Sequence, residues 1–243
     1  MASSIPHLED KTVHIWRLTL PVPEKTIEEF KNVLSPDEIL RIKNFHFKPD
    51  REQYIASRGG LRNILSHYLN IEPQNICFSY TNYGKPYLDC TDLTFNTSHS
   101  GKFIIYAITR KACIGIDIEQ LKSDLDFLSL AKTIFSEEEY IKFVMIPPHD
   151  KPLAFYRYWT RKEAYLKAIG IGLHYPLNQV QVSFLSTEKP KLLSAQLHHS
   201  EPHLWQLEEI LLDQNCVAAI ATRQKYHNLY FWNWNQIYKE KSM

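Results

Sequence analysis

The apolar positions of the chain change period several times, and each change marks an element. Residues 13–20 read as a strand. Ser35-Pro36-Asp37-Glu38 then offers a cap, a proline at the first helical position and an acid placed to close a capping box, which predicts a short helix ending near Asn44. Over residues 50–69, Tyr54, Leu61, Leu65 and Tyr68 recur at helical spacing, and Arg58 falls on that same face. Strands are expected at 76–80 and 93–96. Two apolar runs, 103–109 and 112–118, are separated only by Arg110 and Lys111, which predicts a tight antiparallel hairpin.

Ser136 with Glu139 makes a second capping box, and residues 153–168 carry helical periodicity up to Gly170, a natural left-handed stop. Beyond it Val180, Val182 and Phe184 alternate with polar residues, and 204–207 and 216–221 are further strand candidates. The pattern is therefore α+β with a mostly antiparallel sheet. The tail Tyr230-Phe231-Trp232-Asn233-Trp234 is too apolar to float free and is expected to pack back on the body.

Composition narrows the class. With 243 residues, 44% of them hydrophobic, the chain can bury a full core as one large domain or two lobes. Lys plus Arg total 28 against 27 for Asp plus Glu, a balance that gives no field for nucleic acid or an anionic membrane, so no partner of either kind is expected. The four cysteines are widely spaced and form no Cys-x-x-Cys pair, which favours a reducing cytoplasm. No signal-peptide pattern opens the sequence, and no apolar run approaches the ~20 residues needed to span a bilayer.

Asp117 and Glu119 are two apart on a predicted strand, so their carboxylates leave one face about 7 Å apart at the backbone and can converge on a cation. Such a pair also fits a solvated strand edge. Ile114, Ile116 and Ile118 point to the other face and pin the acids to one side, with Gly115 leaving room nearby. Glu163 and Lys167 are four apart on a helix and could be a plain surface ion pair. Yet Trp159, Ala164, Leu166 and Ala168 make that helix largely buried, and Lys162 adds a second cation beside Glu163, which suits a site handling a metal and phosphates.

Ser98-His99-Ser100 follows the strand expected to end at Asn96, and Gly101 permits a sharp turn before the next one. His99 has no obvious acid to orient it for a hydrolase triad, so phosphate binding or a structural role fits better. Lys85, in the turn Tyr83-Gly84-Lys85-Pro86, is either a solvated lysine or an anion ligand. Arg58, inward beside Gly59-Gly60, needs an anion or an internal salt bridge.

Five motifs stand in order: Tyr83-Gly84-Lys85-Pro86, Phe95-Asn96-Thr97-Ser98-His99-Ser100, Ile114-Gly115-Ile116-Asp117-Ile118-Glu119, Phe135-Ser136-Glu137-Glu138-Glu139-Tyr140 and Trp159-Thr160-Arg161-Lys162-Glu163-Ala164-Tyr165-Leu166-Lys167. In order and spacing they resemble the Sfp-type (surfactin synthetase-activating) 4'-phosphopantetheinyl transferases over roughly residues 40 to 175. The resemblance implies two similar lobes related by a pseudo-twofold, each a mostly antiparallel sheet packed with helices. Its boundaries here would be 1–110, 111–225 with the metal site, and a tail at 226–243. It separates the chain from the shorter, trimeric holo-acyl-carrier-protein synthases and implies a monomer.

The same resemblance implies Mg²⁺ or Mn²⁺ on Asp117, Glu119 and Glu163, with coenzyme A as co-substrate and an apo acyl or peptidyl carrier protein as partner. Lys167 would contact the phosphates and protonate the leaving group; Ser98 and His99 would hold the pyrophosphate and 3'-phosphate; Arg58, Lys85 and Lys162 would complete the nucleotide site. Glu163, directly or through a bound water, would be the base for the carrier serine. Family members often carry a basic pair before the second helix for the 3'-phosphate, where this chain has His46 and Lys48. The carrier is expected to dock by apolar contact with a basic rim near residues 135–143. Two other readings stay open: a metal-dependent nuclease or phosphohydrolase on the same carboxylates, and a non-catalytic module that binds coenzyme A or a carrier protein.

Overall fold

The computed structural model describes residues 7–183, 188–196 and 201–239, so the predicted strand position Phe184 lies outside the described residues. The first half runs β1 (Thr12–Thr19), α1 (Glu24–Asn32), α2 (Pro36–Ile42), α3 (Lys48–Leu69), β2 (Ser79–Tyr80), β3 (Pro86–Tyr87), β4 (Leu93–Ser100) and β5 (Phe103–Arg110). The second half runs β6 (Ile114–Gln120), α4 (Phe127–Ile134), α5 (Glu137–Val144), α6 (Lys151–Ile169), β7 (Val180–Val182), β8 (Leu192–Ala195), β9 (Gln206–Ile210) and β10 (Cys216–Thr222), followed by β11 (Asn228–Asn233) and α7 (Trp234–Lys239).

Two main sheets stack between helices. One has the order β11-β1-β5-β4, the other β6-β10-β9. On β5, Ile104, Tyr106 and Ile108 face the helical layer with Phe30, Leu61 and Leu65, while Phe103, Ile105 and Ala107 face the other sheet. On β6, Ile114, Ile116 and Ile118 fill the space between the sheets, so Gly115, Asp117 and Glu119 must face α6. A third core lies beyond, where Val217, Ala219 and Ala221 of β10 meet Phe135, Phe143, Phe155 and Tyr165.

The predicted hairpin of 103–109 with 112–118 does not form. Both edges of β5 are taken, by β1 and by β4, and β6 pairs instead with β10. Between β5 and β6 the backbone passes through Lys111 at φ 56°, and the chain changes sheet there. The true hairpin is β4–β5, turned at Gly101, and β4 runs on to Ser100 rather than ending at Asn96. Residues 76–78 of the predicted strand 76–80 precede the short β2, and the strand predicted at 204–207 begins two residues later as β9. The C-terminal strand β11 lies parallel beside β1, from Thr12↔Asn228 to Arg17↔Asn233, with Trp234 buried after it.

One device is built twice. The capping-box acid of α2, Glu38, is buried and accepts from Ser35 N at 3.0 Å and from Arg62 Nε on α3 at 2.7 Å. The capping-box acid of α5, Glu139, is buried and accepts from Ser136 N at 2.9 Å and from Lys162 Nζ on α6 at 2.6 Å. In each half a buried carboxylate ends one helix cap and anchors the next, longer helix. No helix of the described residues is long and apolar enough to cross a membrane.

Candidate functional site

The two sheets meet where the edge strands β4 and β6 run side by side. Alternate backbone N–H groups of β6 have no strand partner on this side, and β4 answers them with side chains: Ile116 N donates to Asn96 Oδ1 (2.8 Å), Ile118 N to Ser98 Oγ (3.4 Å) and Gln120 N to Ser100 Oγ (3.0 Å). Both serines hand their protons onward. Ser98 Oγ donates to Asp117 Oδ1 and Ser100 Oγ to Glu119 Oε2, each at 2.9 Å.

Helix α6 closes over these acids because Gly115 lets it. A Cβ at Gly115 would lie 2.0 Å from the Ala164 carbonyl oxygen and 2.3 Å from Ala168 N, so strand and helix touch backbone to backbone. Glu163 and Lys167 occupy the same helix face, and Lys167 Nζ donates to Asp117 Oδ1 at 2.6 Å and to Ser98 Oγ at 2.8 Å. Asp117, Glu119, Glu163, Lys167 and Ser98 are thereby gathered into one cluster.

Three acids share little water. Burial raises the pKa of Asp117, against the pull of Lys167 and the Ser98 hydrogen bond. Glu119 is raised by burial and by the Asp117 charge, with Ser100, Lys167 and the Trp159 side chain opposing. Glu163 is pushed up to about 7, first by burial and then by Asp117, with Lys167 only partly compensating. Among the described residues no three His, Cys, Asp or Glu side chains already stand as a metal cage, and the cation within the cluster is the Lys167 ammonium. Yet Asp117 Oδ2 and Glu163 Oε1 are buried without a hydrogen-bond partner. Hard carboxylate oxygens buried and left unpaired in one cluster fit Mg²⁺ or Mn²⁺.

The remaining expected site residues are placed differently. His99, adjacent to Ser98 on β4, is exposed and within range of the cluster charges: desolvation and Lys167 both disfavour its protonation, and Asp117 opposes them. Lys85 Nζ donates to the carbonyls of Ile114 and Ala168, each at 2.9 Å, strapping the start of β6 to the end of α6. Burial lowers its pKa to about 8. Lys162 does not join Glu163: neighbours on a helix diverge by about 100°, and its ammonium, fully buried, is held by Glu139 and by the Leu177 carbonyl at 2.9 Å. Arg58 pairs with Glu38 at 2.8 Å, donates to Tyr80 Oη and lies 4.9 Å over the Phe78 ring. His46 is exposed, and Lys48 pairs with Glu52 at 3.5 Å on the surface.

Asn96 and Ser100 had no assigned role in the sequence reading. The signal for them was present: 96, 98 and 100 alternate on β4 as 117 and 119 do on β6, and polar residues at three successive same-face positions of a buried strand need partners.

Comparison with known proteins bears on what such a cluster is for. The model for the N-terminal part of 4'-phosphopantetheinyl transferases matches residues 21–111, and that for the 4'-phosphopantetheinyl transferase superfamily matches residues 113–221. The 4'-phosphopantetheinyl transferase HetI of Nostoc sp. is 38% identical over 226 residues, covering 91% of this chain and 92% of the relative. Sfp of Bacillus subtilis is 32% identical over 163 residues, covering 67% of this chain and 71% of its own. The L-aminoadipate-semialdehyde dehydrogenase-phosphopantetheinyl transferase of Xenopus laevis is 31% identical over 212 residues, covering 80% and 70%. With similarity running through both halves and across the carboxylate cluster, the chain belongs to the 4'-phosphopantetheinyl transferase superfamily, to its Sfp type.

Proposed function

We propose that the chain transfers 4'-phosphopantetheine from coenzyme A to a serine of an apo acyl or peptidyl carrier protein, releasing adenosine 3',5'-bisphosphate. The observation that carries the proposal is the cluster of buried Asp117 and Glu163 with half-buried Glu119 under Lys167, in which two carboxylate oxygens are unpaired. Asp117, Glu119 and Glu163 would hold Mg²⁺ or Mn²⁺. A bound ion would supply positive charge against the pyrophosphate and the departing nucleotide.

The chain's own groups do the rest. Lys167, about a quarter exposed, can swing its ammonium from Asp117 to a phosphate oxygen and give a proton to the leaving group. The carrier serine oxygen forms a bond to the β-phosphorus as the bond to the bridging oxygen breaks, and its proton passes to Glu163. The Glu163 carboxylate, buried beside Asp117 and on the same helix face as Lys167, is placed to take that proton. Ser98 and His99 border the place where the phosphates would lie. Arg58, Lys85 and Lys162 would have to leave good protein partners to touch the nucleotide, so their proposed part is to hold the walls of its site.

The reading divides the chain into lobes 1–110 and 111–225, with the tail at 226–243 completing the first sheet. It makes the working unit a monomer, placed in the cytoplasm, a setting its four free cysteines suit. For carrier docking, Phe135 and Phe143 are buried, and the apolar contact falls instead to the exposed Ile141, Val144 and Met145 of the α5 face. The test is to incubate the chain with coenzyme A, Mg²⁺ and an apo carrier and follow the carrier by mass spectrometry. A gain of one phosphopantetheine, abolished in Asp117→Ala, is expected; no gain across several carriers overturns the proposal.

A further inference from the structure

Ser100 stands at the last position of β4, paired with Phe103 across the β4–β5 hairpin, and it is tied on two sides. Its oxygen accepts from Gln120 N at 3.0 Å, which leaves its single proton for Glu119 Oε2 at 2.9 Å. The direction of the second bond is fixed by Glu119, since an ionised carboxylate can only accept. Gly101, next in the chain at φ 54°, packs beside the Gln120 side chain: a Cβ there would sit 2.2 Å from Gln120 Oε1.

The neighbouring rungs differ in a useful way. Ser98 repeats the arrangement with Ile118 N and Asp117 Oδ1, whereas Asn96 accepts from Ile116 N and is bonded to no site carboxylate. One rung of the ladder thus joins the two sheets alone, and two rungs join them and also aim a carboxylate.

We infer that Ser100 is a positioning residue for Glu119: its hydroxyl holds one carboxylate oxygen, alongside the Trp159 side chain that also bonds this carboxylate, and so presents Glu119 to the divalent cation, while Asn96 serves only the junction of the sheets. This rests on the metal reading proposed above. A hydroxyl that orients a ligand carboxylate without touching the ion is typically worth about 10–100-fold in metal affinity. Ser98 also bonds Lys167, so Ser100 isolates the effect.

The experiment measures Mn²⁺ binding by the full chain in the presence of coenzyme A, using the paramagnetic resonance of free Mn²⁺, alongside thermal melting. Ser100→Ala is expected to weaken Mn²⁺ binding by about tenfold or more with a small change in melting temperature. Ser100→Thr, which keeps the hydroxyl, restores affinity to within about threefold, and Asn96→Ala lowers the melting temperature while leaving affinity within about twofold. If Ser100→Ala binds as wild type while Asp117→Ala does not bind, the inference falls and the metal reading stands. If Ser100→Ala is too unstable to measure, Ser100→Thr decides: a folded Ser100→Thr with lost affinity overturns the inference, and retained affinity supports it. A wild-type chain that binds no Mn²⁺ overturns the metal reading and this inference together.

Discussion

Lys167 Nζ lies 2.6 Å from Asp117 Oδ1, so a tethered cation already sits among the three carboxylates. The pair is a resting arrangement with two exits. Lys167 can turn outward to an anion, and Asp117 can then accept a different cation. Lys167→Met should remove the ammonium from both uses and lower carrier loading by roughly 10²-fold or more, read as kcat/KM for the carrier. A loss smaller than about threefold would take Lys167 out of the reaction.

Glu163 makes stability depend on pH in a definite sense. Its folded pKa, about 7, lies above its ordinary value of 4.5, so the folded state holds the proton longer than the unfolded one. The acid is neutral to stability below about 4.5, increasingly unfavourable as pH climbs to 7, and fully unfavourable above it. Buried His14, whose pKa desolvation lowers to about 4, works the other way over the range from 4 to 6.5. The clean measurement is therefore a difference. Metal-free Glu163→Gln should match wild type in stability near pH 4 and exceed it by up to about 3 kcal/mol at pH 8, while carrier loading falls by about 10²–10⁴-fold. Equal stability of the two proteins at pH 8 would contradict the strained carboxylate.

Added Mg²⁺ should raise the melting temperature, and more at pH 8 than at pH 5.5, because its ligands must be ionised. Calorimetric scans with and without the ion, repeated in Asp117→Ala, check this. The variant should show no ion-dependent shift.

Gly115→Ala places a methyl group into the Ala164 carbonyl, so α6 must move off β6. Overpacking of this kind costs about 1–3 kcal/mol, and a shift approaching 1 Å between Asp117 and Glu163 costs about 10²-fold in rate. Chemical denaturation and loading kinetics should therefore both suffer. Intact kinetics in a destabilised variant would show that the helix position is not critical.

Glu38→Ala and Glu139→Ala should be equivalent lesions in opposite halves. Each strands a buried cation, Arg62 or Lys162, and each should cost about 3–5 kcal/mol in denaturant unfolding. Activity at temperatures where the variants remain folded should change little, which separates these glutamates from the site acids.

What was legible in the sequence was whatever has a local cause. The two capping boxes, the left-handed stop at Gly170 and the isoleucine alternation that turns Asp117 and Glu119 to one side all depend on neighbours within a few residues. The strand exchange at Lys111 was not legible, because an apolar run buried on both faces, as β5 is, does not say which strands lie at its edges. Lys162 was misplaced for a related reason: proximity in sequence to Glu163 says nothing about direction around a helix, and its partner, Glu139, is 23 residues away. The alternation of 96, 98 and 100 marked the rungs as polar positions needing partners, but not which partners, because these belong to a strand with which β4 makes no backbone ladder.

The pairing of β11 with β1 carries a consequence for how the molecule comes into being. Arg17 finds its neighbour only when Asn233 has been made, so a nascent chain leaving the ribosome carries the first strand with one flank open until more than two hundred further residues have been added. Such a distant closure slows folding and leaves an edge exposed to other strands in the meantime. A half expressed alone, ending before residue 228, would keep that open flank permanently, and we expect it to associate with itself rather than fold as a separate unit.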